Sequence, residues 1–272
     1  MKHLLLSCLF LGSVAAPLSA AQIESLEILS PSMNHSIKTT VVLPEKYKDG
    51  QPLPVVYLLH GYSGNYQSWV KDFPALTNLV DQYEFIVVSP DGGFSSWYFD
   101  SPIDPKFRYE TFVAKELVES IDGKFHTIQD RKDRAIGGLS MGGHGALFLA
   151  FKHQDVFGAA ASMSGGVDLR PFPLNWDISK RIGDYSTHPD AWETNSVINL
   201  VYLLKPHSLA LMIDCGTSDF FYNANKALHE KLLYRNIPHD YIEREGEHNL
   251  KYWRNSLAYH CLFFHRYFEN AE

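Results

Sequence analysis
A chain of 272 residues can bury one sizeable core, and 45% hydrophobic with 20% charged side chains is the balance of an ordinary globular protein. A formal net charge of −7 offers no basic stripe, so no nucleic-acid partner is expected. Beyond the first residues no segment is apolar for long enough to span a bilayer.

The opening reads as an export signal over residues 1–21. Met1-Lys2-His3 is a short basic start, Leu4 to Val14 an apolar stretch, and Ser19-Ala20-Ala21 a small-residue cleavage site. Cleavage before Gln22 would leave 22–272 as a single domain in a periplasm or outside the cell. Cys8 lies too near the start to suit lipid attachment. Export leaves Cys215 and Cys261, which read as buried free thiols, with one bridge geometrically open.

Residues 23–29 and 37–43 predict two antiparallel strands at a sheet edge. The apolar run 54–59 predicts a third strand, leading into His60-Gly61-Tyr62-Ser63-Gly64, and 85–88 a fourth. Over 109–125, Phe112, Val113, Leu117, Val118 and Ile121 recur at helical spacing. A fifth strand over 133–137 runs into Gly138-Leu139-Ser140-Met141-Gly142 and a small-residue helix over 143–150; residues 157–163 give a sixth strand. Strand and helix in alternation imply a mostly parallel sheet covered on both faces, an α/β fold.

Residues 166–207 break that rhythm. They hold Pro171, Pro173, Pro189 and Pro206 with Trp176 and Trp192, and no clean strand. An insertion here is expected to form a small cap that sets specificity. Trp69, Trp97, Tyr98, Phe99, Trp176 and Trp192 all fall in predicted loops, either to line a groove or to pack beneath the cap. After it, a strand over 208–213 leads to Asp219, and a strand near 241–243 leads to His248 and a C-terminal helix.

Gly-x-Ser-x-Gly between a strand and a helix is the nucleophile elbow, a strained turn that holds one serine hydroxyl above a sheet edge. The flanking glycines are needed because a Cβ there would clash with the close-packed backbone. Serine alone is a poor nucleophile, so an imidazole must take its proton and a carboxylate must fix the imidazole tautomer. The chain order Ser, acid, His is met by Ser140, Asp219 and His248. Asp214 is a rival acid, but its place inside the strand pattern suggests a structural role. His60 and His144 precede the acid, while His260 and His265 lie on the last helix. The oxyanion hole would use the main-chain amides of Met141 and Tyr62.

These segments resemble the putative-esterase family of α/β-hydrolases over about residues 23–268. That family includes tributyrin-type esterases, S-formylglutathione hydrolases, feruloyl and acetyl-xylan esterases, and mycolyltransferases. The resemblance rests on His60-Gly61-Tyr62-Ser63-Gly64-Asn65 with Trp69, Ser96-Trp97-Tyr98, Tyr109-Glu110-Thr111-Phe112, Ser140-Met141-Gly142-Gly143-His144-Gly145-Ala146, Cys215-Gly216-Thr217-Ser218-Asp219-Phe220 and Gly246-Glu247-His248. It implies an α/β-hydrolase fold, the same triad and oxyanion amides, and neither metal nor organic cofactor. The tributyrin-type branch looks nearest. The cytosolic glutathione-thioester branch lacks an export signal. The expected substrate is a small-molecule or polysaccharide-linked ester, acetyl or hydroxycinnamoyl groups included. Two alternatives stay open: an acyltransferase in which a sugar hydroxyl replaces water, and a non-catalytic glycan-binding protein, against which the intact triad argues. Oligomeric state cannot be read from the sequence.

Overall fold
The computed structural model describes residues 21–270, so the predicted leader, apart from Ala21, lies outside the described residues. Eight strands form one sheet: β1 (Gln22–Ser30), β2 (His35–Leu43), β3 (Val55–Leu59), β4 (Ile86–Pro90), β5 (Arg134–Leu139), β6 (Ala159–Met163), β7 (Ala210–Gly216) and β8 (Asp240–Arg244). Their order is β1-β2-β4-β3-β5-β6-β7-β8. The first two strands form an antiparallel hairpin that joins β4 antiparallel. All later pairings are parallel.

Both faces of the central strands are buried, and alternate residues belong to opposite cores. Val55, Tyr57 and Leu59 pack with one layer, while Val56 and Leu58 pack with the other. That is why these strands read as unbroken apolar runs rather than as alternating ones. The first layer includes the helix Met141–Lys152, the helical run from Tyr109 to Lys124 and the helix Tyr222–Tyr234. The second is formed by Leu76–Tyr83 and the C-terminal helix Leu250–Glu269. The helical run is one continuous stretch whose middle, Phe112–Leu117, is wound as a π-helix.

Strand ends are decided by the ladder, not by hydrophobicity. β5 continues through Gly138 and Leu139, which pair with Leu59 and Met163. β7 likewise continues through Asp214 to Gly216. Residues 166–207 contain no strand; they form short helices over Ser179–Ile182 and Pro189–Asn195 and a 3₁₀ turn over Val197–Leu203. The 3₁₀ turn packs against the helix Met141–Lys152. Trp97, Tyr98, Phe99 and Trp192 are fully buried, so most of the loop aromatics are packing groups. Cys215 and Cys261 are both buried and free. Burial pushes the Cys261 thiol up to about 12.

Candidate active site
The parallel strands end at one edge of the sheet, and four of those ends supply the site. Ser140 follows β5 with φ 54° and ψ −117°, a conformation that a non-glycine residue adopts only when its surroundings impose it. The surroundings are backbone. A Cβ on Gly142 would stand 2.1 Å from the Leu59 carbonyl oxygen, and one on Gly138 would stand 2.3 Å from the Gly142 oxygen. The Ser140 amide donates to the Met163 carbonyl (2.9 Å), and its own carbonyl accepts from His144 N–H (3.0 Å). The turn is therefore tied to β6 on one side and to the following helix on the other.

Asp219 lies just past β7, with one carboxylate oxygen accepting from the Phe221 amide at 2.8 Å. The other oxygen stands 2.8 Å from His248 Nδ1, and His248 Nε2 stands 2.9 Å from Ser140 Oγ. An ionised carboxylate can only accept, so Nδ1 carries the ring proton and Nε2 is left to accept from the serine hydroxyl. The imidazole is boxed by Phe220, Phe221 and Trp253, with ring centroids at 4.1, 5.4 and 4.8 Å. This box fixes the ring plane, and Phe220 stays half exposed beside it.

The rival residues are engaged elsewhere. Asp214 is fully buried, accepts from Arg244 Nη2 at 2.9 Å and from the Tyr252 hydroxyl, and has His260 Nε2 at 3.7 Å. It braces β8 and the last helix rather than His248. His60 uses Nε2 to accept from Gly92 N–H (2.7 Å), so its Nδ1 donates to the Gly61 carbonyl (2.8 Å). Burial holds that ring neutral by lowering its pKa. His144 lies between the Trp97 and Asn195 carbonyls, with Nδ1 and Nε2 at 3.0 and 2.8 Å; burial pushes its pKa down to about 4, and the neutral ring donates to one of the two. His265 stands 3.4 Å from Glu269 on the outer side of the last helix.

Ser140 and His248 open onto a cleft of about 490 Å³. Tyr62 lines it on the loop after β3, and Met141 opens the helix behind the serine. Neither residue's main-chain N–H meets an acceptor in a turn or loop among the described residues. Trp176 also lines the cleft and stacks on Phe220 at 5.4 Å. Phe220, Trp253 and Asp72, which also line it, were not singled out from sequence as site residues. Phe220 is adjacent to the predicted acid, a signal that was available.

The family described as "Putative esterase" has a sequence model that matches residues 30–264. The chain belongs to this family. It is a serine hydrolase of the esterase type with the α/β-hydrolase fold. It is 29% identical to an acetyl esterase of Caldicellulosiruptor saccharolyticus over 226 residues, 79% of this chain and 84% of that one. It is 34% identical over 213 residues to the diacylglycerol acyltransferase/mycolyltransferase Ag85A of Mycobacterium bovis, 71% of this chain and 61% of that one. A solved ferulic acid esterase superposes with a TM-score of 0.79 at 28% identity, covering 91% of this chain and 98% of that chain. No helix among the described residues of this esterase is long and apolar enough to cross a membrane.

Proposed function
We propose that this esterase is an exported carboxylic-ester hydrolase acting through an acyl-enzyme on Ser140, with His248 as general base and acid and Asp219 as its orienting partner. The observation that carries the reading is the unbroken relay Ser140 Oγ, His248 Nε2, His248 Nδ1, Asp219 Oδ2, with links of 2.9 and 2.8 Å at the mouth of a cleft. Ser140 Oγ attacks the ester carbonyl carbon while its proton passes to His248 Nε2. The carbonyl oxygen becomes an oxyanion that accepts from the amides of Tyr62 and Met141. Collapse breaks the bond to the alcohol, which leaves with the proton from Nε2. Water then attacks the acyl-enzyme, giving its proton to His248, and the acid departs as Ser140 recovers its hydrogen. Written this way, the reaction draws on no metal or organic cofactor.

Small acyl groups, acetyl and hydroxycinnamoyl among them, suit a cleft with an aromatic wall of Trp176 and Phe220. The alcohol is a small molecule or a polysaccharide hydroxyl. Transfer to a sugar hydroxyl instead of water is the second reading, favoured by the likeness to Ag85A and by the half-exposed Phe220 beside His248. Hydrolysis of p-nitrophenyl acetate, butyrate and octanoate, methyl ferulate and acetylated xylan by the protein and by Ser140→Ala tests the proposal. Serine-dependent cleavage is expected, with kcat falling by about 10⁴-fold or more in the variant. Equal turnover by the folded variant removes the triad assignment. Added sugar acceptors that divert the acyl group into a new ester would favour transfer over hydrolysis.

A further inference from the structure
The two walls of the cleft differ in kind. One is aromatic, built from Trp176 and Phe220. The other comes from the segment after β3, where Asn65, Ser68 and Asp72 line the space above Trp69 and Phe73, whose rings stack at 4.5 Å. Asp72 ends the short helix Ser68–Asp72, and its main-chain carbonyl accepts from Arg254 Nε at 2.6 Å. That bond secures the turn and holds the guanidinium on the main chain, outside ion-pair distance of the carboxylate. No lysine, arginine or histidine nitrogen lies within 4.0 Å of the Asp72 carboxylate among the described residues. The residue is half-buried, and no lysine or arginine lines the cleft.

A carboxylate that is partly desolvated and lacks an ion-pair partner acts on whatever approaches it. Walls of protein on either side lower the dielectric around it and focus its field into the open cleft. Resting on the ester-hydrolase reading above, the geometry points to Asp72 as a specificity-determining residue: it admits neutral and cationic substrate groups at its end of the cleft and disfavours anionic ones. Hydroxyl groups reaching this wall can donate to the carboxylate, with Ser68 and Asn65 beside it as further polar groups. A carboxylate-bearing group meets like charge there, with no lysine or arginine on the lining to compensate.

Two matched ester series test this, since either the alcohol or the acyl side of a substrate can face Asp72. On the alcohol side the acetates are acetylcholine, its neutral isostere 3,3-dimethylbutyl acetate and anionic 4-acetoxybutyrate. On the acyl side the methyl esters are betaine methyl ester, methyl 3,3-dimethylbutanoate and monomethyl succinate. The readout is kcat/KM for each charged ester divided by that for the neutral one. In at least one series, Asp72→Asn should lower the cationic ratio and raise the anionic ratio, each by about fivefold. The wild-type ratios in that series should move toward one another as salt rises from about 20 mM to about 500 mM. Ratios unchanged by the substitution in both series overturn the role of Asp72. Should the variant not fold, wild-type ratios that are flat with salt in both series overturn it equally. A folded wild type that cleaves the p-nitrophenyl, ferulate or xylan esters but neither neutral ester here overturns the inference alone, whereas one that cleaves none of them overturns the hydrolase reading as well.

Discussion

The turn at Ser140 and the segment 166–207 meet over the same cleft but are specified in opposite ways. The turn is held by main chain, with the Leu59 and Gly142 carbonyls where a Cβ on Gly142 or Gly138 would have to go. The segment is held by side chains: Trp97 Nε1 donates to the Trp176 carbonyl, Trp192 Nε1 to the Gly183 carbonyl, and Ser196 Oγ to the Trp192 carbonyl. Backbone contacts tolerate almost no change of residue, whereas side-chain contacts can be exchanged for others of similar volume. On the proposed mechanism, the chemistry is thus placed on the unforgiving region and the substrate wall on the adaptable one.

Four substitutions probe that contrast. The largest effect is expected from Gly142→Ala, whose methyl would sit 2.1 Å from a main-chain oxygen that cannot move without dragging β3. A loss of about 4 kcal/mol or more, seen as a drop of roughly 10 °C in Tm, is expected. Leu174→Ala in the segment, at a side chain 94% exposed, should stay within about 0.5 kcal/mol. Similar losses at both sites in a thermal melt would break the contrast.

His144 joins the two regions, since it lies on the helix after Ser140 and bonds the Asn195 carbonyl. Burial lowers its pKa from 6.5 to about 4, so between those values the unfolded chain binds a proton that the folded one refuses. Stability therefore rises with pH through that window, and the contribution is lost as pH falls from 6.5 toward 4. The amount is roughly 3 kcal/mol at most. Denaturant melts at both ends of the window should show a shallower acid loss for His144→Gln than for the wild type. An identical slope would mean that His144 is already protonated in the fold.

The last effect is on selectivity. Trp176→Ala removes the ring stacked on Phe220, and KM for aromatic or longer acyl esters should rise about two- to tenfold relative to acetate. An unaltered rank order across a p-nitrophenyl ester panel would take the segment out of substrate recognition.

The same division explains what was legible in the sequence. Gly138, Ser140 and Gly142 carry a steric requirement in adjacent letters, Asp219 follows a strand that shows as an apolar run, and His248 follows the short strand signal of Tyr241-Ile242-Glu243. The antiparallel pair at the sheet edge was readable from its two alternating strands, while the order of the strands across the sheet was not. The cleft wall was not, because its residues come from the 61–73, 176, 220 and 250–253 regions and converge only in three dimensions. The helix Ser68–Asp72 is too short to show a period, so Asp72 had no pattern to announce it. Trp69 and Trp176 read from the sequence as loop aromatics, but only packing separates them from Trp97 and Trp192, which never reach the cleft. His60 illustrates the reverse: a polar residue beside the site whose two nitrogens are spent on tying its own loop to Gly92 in the loop after β4.

The loops that follow β7 and β8 stay zipped after their strands end. Thr217 N–H donates to the Arg244 carbonyl and Ser218 N–H to the Gly246 carbonyl, each at 2.9 Å, and Gly216 lies so close to Gly246 that a Cβ would stand 2.4 Å from its oxygen. Asp219 and His248 are thus carried on one stiff prong, and a displacement of either loop takes the other with it. A lineage can redraw residues 61–73 or 166–207 for a new ester without retuning the proton relay each time. Changes of diet for such an enzyme should accumulate on its walls, while the prong stays still.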